Sequence, residues 1–101
     1  MEYSLLSEGT QKRIVFYGNI VPSSRPKFLE IAEIMPSSEQ KKWIVDVHEF
    51  EFIDSAGLGM LIELQENAKK NGITLTLTGA NKLVRRMFEL SKFDVLFEID
   101  D

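Results

Sequence analysis

Cysteine is absent from the 101-residue sequence and histidine occurs once, as His48. A zinc finger, an iron–sulfur site, a thiol nucleophile and a disulfide framework each need sulfurs or ligands the chain lacks. Only a carboxylate-built metal site is left open by composition, and the sequence offers no cofactor motif. Basic charge is also short: 12 Lys and Arg stand against 16 Asp and Glu, for a net charge of −4. Nucleic-acid affinity rests on releasing counterions through many Lys and Arg contacts, so a nucleic-acid partner is not expected, nor is an anionic membrane surface. No apolar run approaches the ~20 residues that span a bilayer. The opening Met1-Glu2-Tyr3-Ser4-Leu5-Leu6 carries an acid where a signal peptide carries positive charge. A cytoplasmic protein, with residues 1–101 forming a single domain, is therefore the expectation.

What is present alternates between strand and helix periods. Tyr3–Leu6 and Ile14–Tyr17 are strand candidates expected to pair as a hairpin across the polar residues 7–12. After Gly18-Asn19, the stretch 21–24 leads to a helix with Ser24 as cap and Pro26 in its first turn. Phe28, Ile31, Ala32 and Met35 supply its apolar face. Trp43–Val47, apolar and β-branched, predicts a central strand covered on both faces. Acids and apolar residues alternate from Glu49 to Phe52. At Asp54-Ser55-Ala56-Gly57 the period becomes helical, with Leu58, Leu61, Ile62 and Ala68 on one side and a stop at Asn71-Gly72. Ile73–Thr78 alternates as a half-buried strand. Gly79-Ala80-Asn81 then opens a third helix, with Leu83, Val84, Met87, Phe88 and Leu90 inside and Lys82, Arg85, Arg86 and Glu89 outside. Val95–Phe97 reads as a last strand before an acidic tail. The order β-β-α-β-α-β-α-β implies an α/β domain.

The informative segment is Ile53-Asp54-Ser55-Ala56-Gly57-Leu58-Gly59, a polar pair and two glycines at a strand-to-helix junction. Ligands and partners of α/β folds gather at the carboxyl ends of strands. A serine there sits among free N–H groups at the positive end of a helix, where a negative group gains about 0.3–1 kcal/mol. Gly57, lacking a side chain, is expected to let another molecule come close to Ser55. The plainer reading makes Asp54 or Ser55 a helix cap and the glycines packing residues. As a nucleotide loop, Gly57-x-Gly59 lacks its third glycine, replaced by Ile62, and no Walker-type lysine follows. As a hydrolase elbow, G-x-S-x-G is broken by Ile53, and His48 would have to reach Ser55 as the base.

The run Phe52-Ile53-Asp54-Ser55-Ala56-Gly57-Leu58, with a strand before it, an amphipathic helix after it and the later strand-Gly79-Ala80-Asn81-helix order, resembles the STAS domain of bacterial anti-sigma factor antagonists. The resemblance spans nearly the whole chain and is strongest from Trp43 to Phe97. It implies a small α/β domain with a four- to five-stranded mixed sheet and three to four helices. It also implies no enzymatic activity and no cofactor. Ser55 would be the phosphoacceptor of a partner anti-sigma factor with serine kinase activity, and a metal-dependent serine phosphatase would reverse the modification. The unphosphorylated protein would bind the anti-sigma factor and so release the sigma factor. The implied docking surface comprises Asp54, Ser55, Ala56, Gly57 and Leu58 with Gly18, Asn19, Ser23 and Ser24 of the loop after the second strand. Met60 reads equally as core or contact. Many members carry an acid in a G-E-L-D-like stretch where this chain reads Gly18-Asn19-Ile20-Val21. An unmodified scaffold subunit of a transport or sensory complex is the alternative function on the same fold.

Overall fold

The computed structural model describes residues 1–100. Five strands, β1 (Glu2–Glu8), β2 (Gln11–Tyr17), β3 (Lys42–Asp46), β4 (Thr74–Thr78) and β5 (Glu98–Asp100), form one mixed sheet in the order of the chain. Four helices join them: α1 (Arg25–Ile34), α2 (Ser55–Lys70), α3 (Lys82–Leu90) and the single turn α4 (Phe93–Leu96). The hairpin is present and longer than its apolar residues suggest. Its antiparallel register runs from Glu2 opposite Tyr17 to Glu8 opposite Gln11, leaving Gly9-Thr10 as the turn. β2 to β5 are parallel neighbours.

Each parallel pair is joined by helical crossovers that advance in one direction across the sheet. Crossovers of constant hand advancing one way deliver every helix to the same face. Burial along β3 accordingly alternates. Trp43 and Val45 are fully enclosed while Ile44 and Asp46 are half-buried on the other face. The expectation that β3 is covered on both faces is thus corrected. The uncovered face carries an open hollow of about 410 Å³ floored by Ile44, Thr76 and Thr78, with Arg13, Lys42 and Glu98 around it.

The covered face meets α1 through Phe28 and Ile31, and Met35 follows in a short 3-10 turn. α2 contributes Leu58, Met60, Leu61, Leu64 and Ala68, so Met60 belongs to the core. The indole N–H of Trp43 donates to Ser38 Oγ (3.2 Å) and to the Gln40 carbonyl (3.0 Å), which satisfies the one polar atom of the largest core side chain.

Two sequence expectations fail at the C-terminal end. Val95–Phe97 is not a strand: Phe93 to Leu96 make a helical turn and β5 begins at Glu98, inside the expected tail. The cause is a reversal at Lys92 (φ 57°) that brings Phe93 under Phe88, ring centroids 5.1 Å apart, and Phe97 onto Phe93 at 4.9 Å. Leu83 and Leu90 were expected inside α3 but are exposed, because Val84 and Phe88, one turn apart, take the whole line facing the sheet. Phe93→Ala would empty the middle of the aromatic stack. We expect a loss of about 3–5 kcal/mol in urea unfolding, with the Ile99 amide losing hydrogen-exchange protection before those of β3. Loss below ~1 kcal/mol would contradict this packing.

Candidate functional site

Because β2, β3 and β4 run parallel, the connections that follow them collect at one end of the sheet. The link from β3 to α2, residues 47–54, is the longest of these without regular structure. Val47 continues the ladder for one bond, its N–H donating to the Thr78 carbonyl (2.9 Å), and the Phe50 N–H closes a turn onto the Val47 carbonyl (3.0 Å). Phe50 and Ile53 are buried, and between them Glu51 and Phe52 face outward.

Asparagines of the two neighbouring connections hold this exposed stretch. Asn19 Oδ1 accepts from the N–H groups of Glu51 (2.8 Å) and Phe52 (3.3 Å). Asn81 Nδ2 donates to the carbonyls of Phe50 (3.0 Å) and Glu51 (3.3 Å) while its Oδ1 caps α3 by accepting from the Val84 N–H (2.8 Å). The sequence marked Asn19 as a strand end and Asn81 as a helix entry. Their shared grip on residues 50–52 is visible only in three dimensions.

Asp54 is the cap of α2: its backbone is extended, its Oδ1 accepts from the Gly57 N–H (3.0 Å), and its carbonyl accepts from the Leu58 N–H (2.9 Å). Ser55 is therefore the first helical residue. It is exposed, and its hydroxyl has no hydrogen-bond partner among the described residues. The Ser55 and Ala56 N–H groups belong to the first turn and have no partner within the helix.

Of the nine residues expected to form the docking surface, Asp54, Ser55, Gly18 and Ser23 are exposed and Asn19 and Ala56 are half-buried. Gly57, Leu58 and Ser24 are buried and take structural parts instead. A methyl group on Gly57 would stand 2.9 Å from Ile53 Cγ1 and 3.2 Å from Ile20 Cβ. Gly57 thus lets the helix approach the core, which corrects the expectation that it opens a path to Ser55. Ser24 occupies the cap position of α1 with helical backbone and no capping bond; its hydroxyl accepts from the Val21 N–H (3.0 Å) and tightens the loop. The sequence reading missed two exposed apolar side chains. Val21 and Phe52 (46% exposed) project from the first two of the three connections at this end. The alternation Glu49-Phe50-Glu51-Phe52 was the available signal for Phe52.

His48 stands apart from Ser55 in its bonding. Its Nδ1 lies 2.6 Å from Asp46 Oδ1 and its Nε2 3.5 Å from Glu49 Oε2, and among the described residues no hydrogen bond joins it to Ser55. The hydrogen bond to Asp46 and that carboxylate's charge raise the His48 pKa above its ordinary 6.5. Asp46 Oδ2 meanwhile accepts from Arg13 Nη1 (3.3 Å). The base required by an elbow-type hydrolase is thus engaged elsewhere.

The profile of the family described as "Mlab, STAS domain" matches residues 5–98. The chain belongs to the STAS domain family. A STAS-domain containing protein of Pseudomonas aeruginosa is 30% identical over 59 residues, a stretch covering 58% of this chain and 58% of that protein's length. Unphosphorylated SpoIIAA, an anti-sigma factor antagonist and Bacillus cell fate determinant, superposes with a TM-score of 0.79 at 15% identity, covering 99% of this chain and 89% of its own. The STAS domain of a SulP transporter from Vibrio cholerae gives 0.74 at 19% identity, covering 84% of this chain and 68% of its own. At such identities these structures establish the fold, which anti-sigma factor antagonists share with a transporter domain.

Two measurements follow from the site geometry. Gly57→Ala should destabilise the chain by about 1–3 kcal/mol through its collision with Ile53 and Ile20. Gly59→Ala, with open space at its Cβ, should stabilise it by about 0.5–1 kcal/mol through helix propensity. Equal effects of the two in urea unfolding would refute the packing assigned to Gly57. In an NMR titration His48 should titrate above 6.5, and Asp46→Asn should bring it down. A raised folded pKa stabilises fully below the unfolded value and loses that contribution as pH rises through the folded value. The stability advantage of the wild type over His48→Gln should therefore fall across that interval above 6.5. An unshifted His48 would rule this out.

Proposed function

We propose that this STAS domain is an anti-sigma factor antagonist switched by phosphorylation of Ser55. With Ser55 unmodified it binds an anti-sigma factor that is also a serine kinase, and the sigma factor is released. With Ser55 phosphorylated it dissociates, and a metal-dependent phosphatase restores it. In this reading the chain is a cytoplasmic substrate and ligand, and the catalysis belongs to its partners.

The observation that carries the reading is the state of Ser55: exposed, with a free hydroxyl, at the first position of a helix whose preceding loop is fixed from both sides. A kinase needs an accessible hydroxyl in a reproducible position. A phosphate there adds about −1.5 to −2 charge. The net charge would pass from −4 to near −6 at the centre of the docking surface. The N–H groups of Ser55 and Ala56 and the positive end of α2 make the phosphate acceptable to the fold. A partner that covers Ser55 together with Val21 and Phe52 would have to bury the same phosphate, and that is costly.

A second reading keeps the domain as an unmodified scaffold subunit of a transport complex. It is supported by the family profile named for Mlab, by the likeness to a SulP transporter domain, and by Asn19 standing where many antagonists have an acid.

Incubation with the anti-sigma factor kinase encoded nearest its gene, plus ATP, should add a single phosphate as read by intact mass. Ser55→Ala should take up none and still bind the kinase, while Ser55→Asp should bind at least about tenfold more weakly. Equal phosphorylation of Ser55→Ala would overturn the assignment of the acceptor. Capture of transporter subunits from native lysate, with Ser55 unphosphorylated, would favour the scaffold.

A further inference from the structure

Most exposed apolar side chains of this chain are scattered, but one segment concentrates them. Leu83 is 55% exposed and Leu90 62%, and Val95 on the adjoining α4 is 77% exposed. On α3, Leu83, Met87 and Leu90 are spaced four and then three residues apart. That is the spacing of a heptad seam, and it puts the three on one flank of the helix. Met87 is half-buried against the core and so fixes the base of the stripe. Leu83 to Leu90 spans about 10 Å along the helix axis, two turns of a packing helix.

Charge says what covers this stripe. In heptad terms Arg86 stands at a flanking position, one residue before the central Met87, where coiled-coil partners exchange ion pairs. Lys82, one turn before Arg86, continues the same border, and both are exposed. From Lys82 to Phe97 there are four cations and two acids, whereas the chain as a whole has 12 cations and 16 acids. Glu89, one heptad after Lys82, lies on the same border, which keeps one net positive charge in a molecule whose net charge is −4.

We propose that the flank of α3 formed by Leu83, Met87 and Leu90, and continued by α4, docks an amphipathic helix of a partner protein whose apolar face is bordered by acidic side chains. The 4-3 spacing favours a helix, because a second seam of that period meets every residue of the stripe. Arg86 and Lys82 call for acids beside that seam and repel a basic one. This surface differs from the Ser55 surface in its chemistry, and its occupancy does not depend on the phosphorylation reading. With both in use, the domain joins two proteins.

The test is a selection from a display library of helical peptides of about three heptads, leucines fixed in 4-3 spacing and flanking positions randomised, against the immobilised full-length protein. Enrichment of Asp and Glu at the flanking positions is expected. Fluorescence anisotropy of the enriched peptides should show binding weakened at least about tenfold by Leu83→Ser/Leu90→Ser and by Lys82→Glu/Arg86→Glu, with Leu29→Ser on α1 unchanged. All substituted positions are exposed, and circular dichroism with thermal unfolding verifies that each variant is folded. In a parallel arm the protein is sedimented with phosphatidylcholine vesicles with and without phosphatidylglycerol. The proposal fails if no peptide is enriched, if the enriched peptides carry no excess of acids, or if they bind the Leu83→Ser/Leu90→Ser variant equally well. It also fails if the protein partitions to the anionic vesicles while selecting no helix. Failure of the kinase assay on Ser55 would leave these readouts unaffected, so the two readings stand or fall separately.

Discussion

Two asparagine amides grip the loop before α2 from opposite sides, and the placement of Ser55 depends on both. Residues 50–52 belong to no strand or helix, yet their backbone groups need partners once neighbouring connections crowd them. Asn19 supplies an acceptor to two successive N–H groups. Asn81 supplies donors to two successive carbonyls and at the same time an acceptor to the Val84 N–H. That double duty requires an amide. Aspartate has no donor, and serine has no reach to serve both the helix and the loop. Among the described residues, only the oxygen of Asn19 is used, so an acid at this position would accept the same bonds. The departure from the family pattern is therefore compatible with the local structure and alters the charge presented beside Ser55.

The loop has this importance because the sheet is wound in one direction. All crossovers fall on one face, the core is a single layer, and α2 can be anchored only from beneath. The anchoring is close: Gly57 meets Ile20 and Ile53, and Phe50 lies within 6.0 Å of Phe16 between ring centroids. Gly79, with φ of +83° and its Cβ position 3.1 Å from Asp46 Oδ1, closes the third connection against the second. The three connections are bonded and packed together at one end of the sheet. The opposite consequence of the winding is an uncovered sheet face whose polar side chains satisfy one another, as Thr76 does Glu98 (3.0 Å) and Arg13 does Asp46.

Element order, the hairpin, the centrality of β3 and the junction at Asp54-Ser55 were legible because period and cap chemistry are local. Asp54 caps α2 for reasons contained in four consecutive residues. The C-terminal end was not legible, since the reversal at Lys92 uses neither glycine nor proline. Nothing in Ser91-Lys92 announces a turn. The stack of Phe88, Phe93 and Phe97 that stabilises it depends on three rings meeting in space. Leu83 and Leu90 misled for a related reason, as helical periodicity marks an apolar arc without saying how much of it a small sheet can cover. At the site, exposure separated residues that sequence could only group: Ser55 from Gly57, and Ser23 from Ser24.

Under the proposed phosphorylation, the position of Ser55 would let a single modification separate binding from folding. In the folded protein a phosphate at the first residue of α2 faces solvent and unpaired N–H groups. The helix end there favours negative charge by about 0.3–1 kcal/mol. Its neighbour Asp54 already spends its carboxylate on the Gly57 N–H, so the cap bond need not be broken to receive it. In a complex that covers Ser55 the same phosphate would be taken out of water, and like charges across such an interface cost several kcal/mol. At ~1.4 kcal/mol per tenfold, that difference moves a binder across several orders of magnitude while the fold is left nearly untouched. A serine one turn further along would lose this asymmetry, since residue 59 faces into a helix whose N–H groups are all committed.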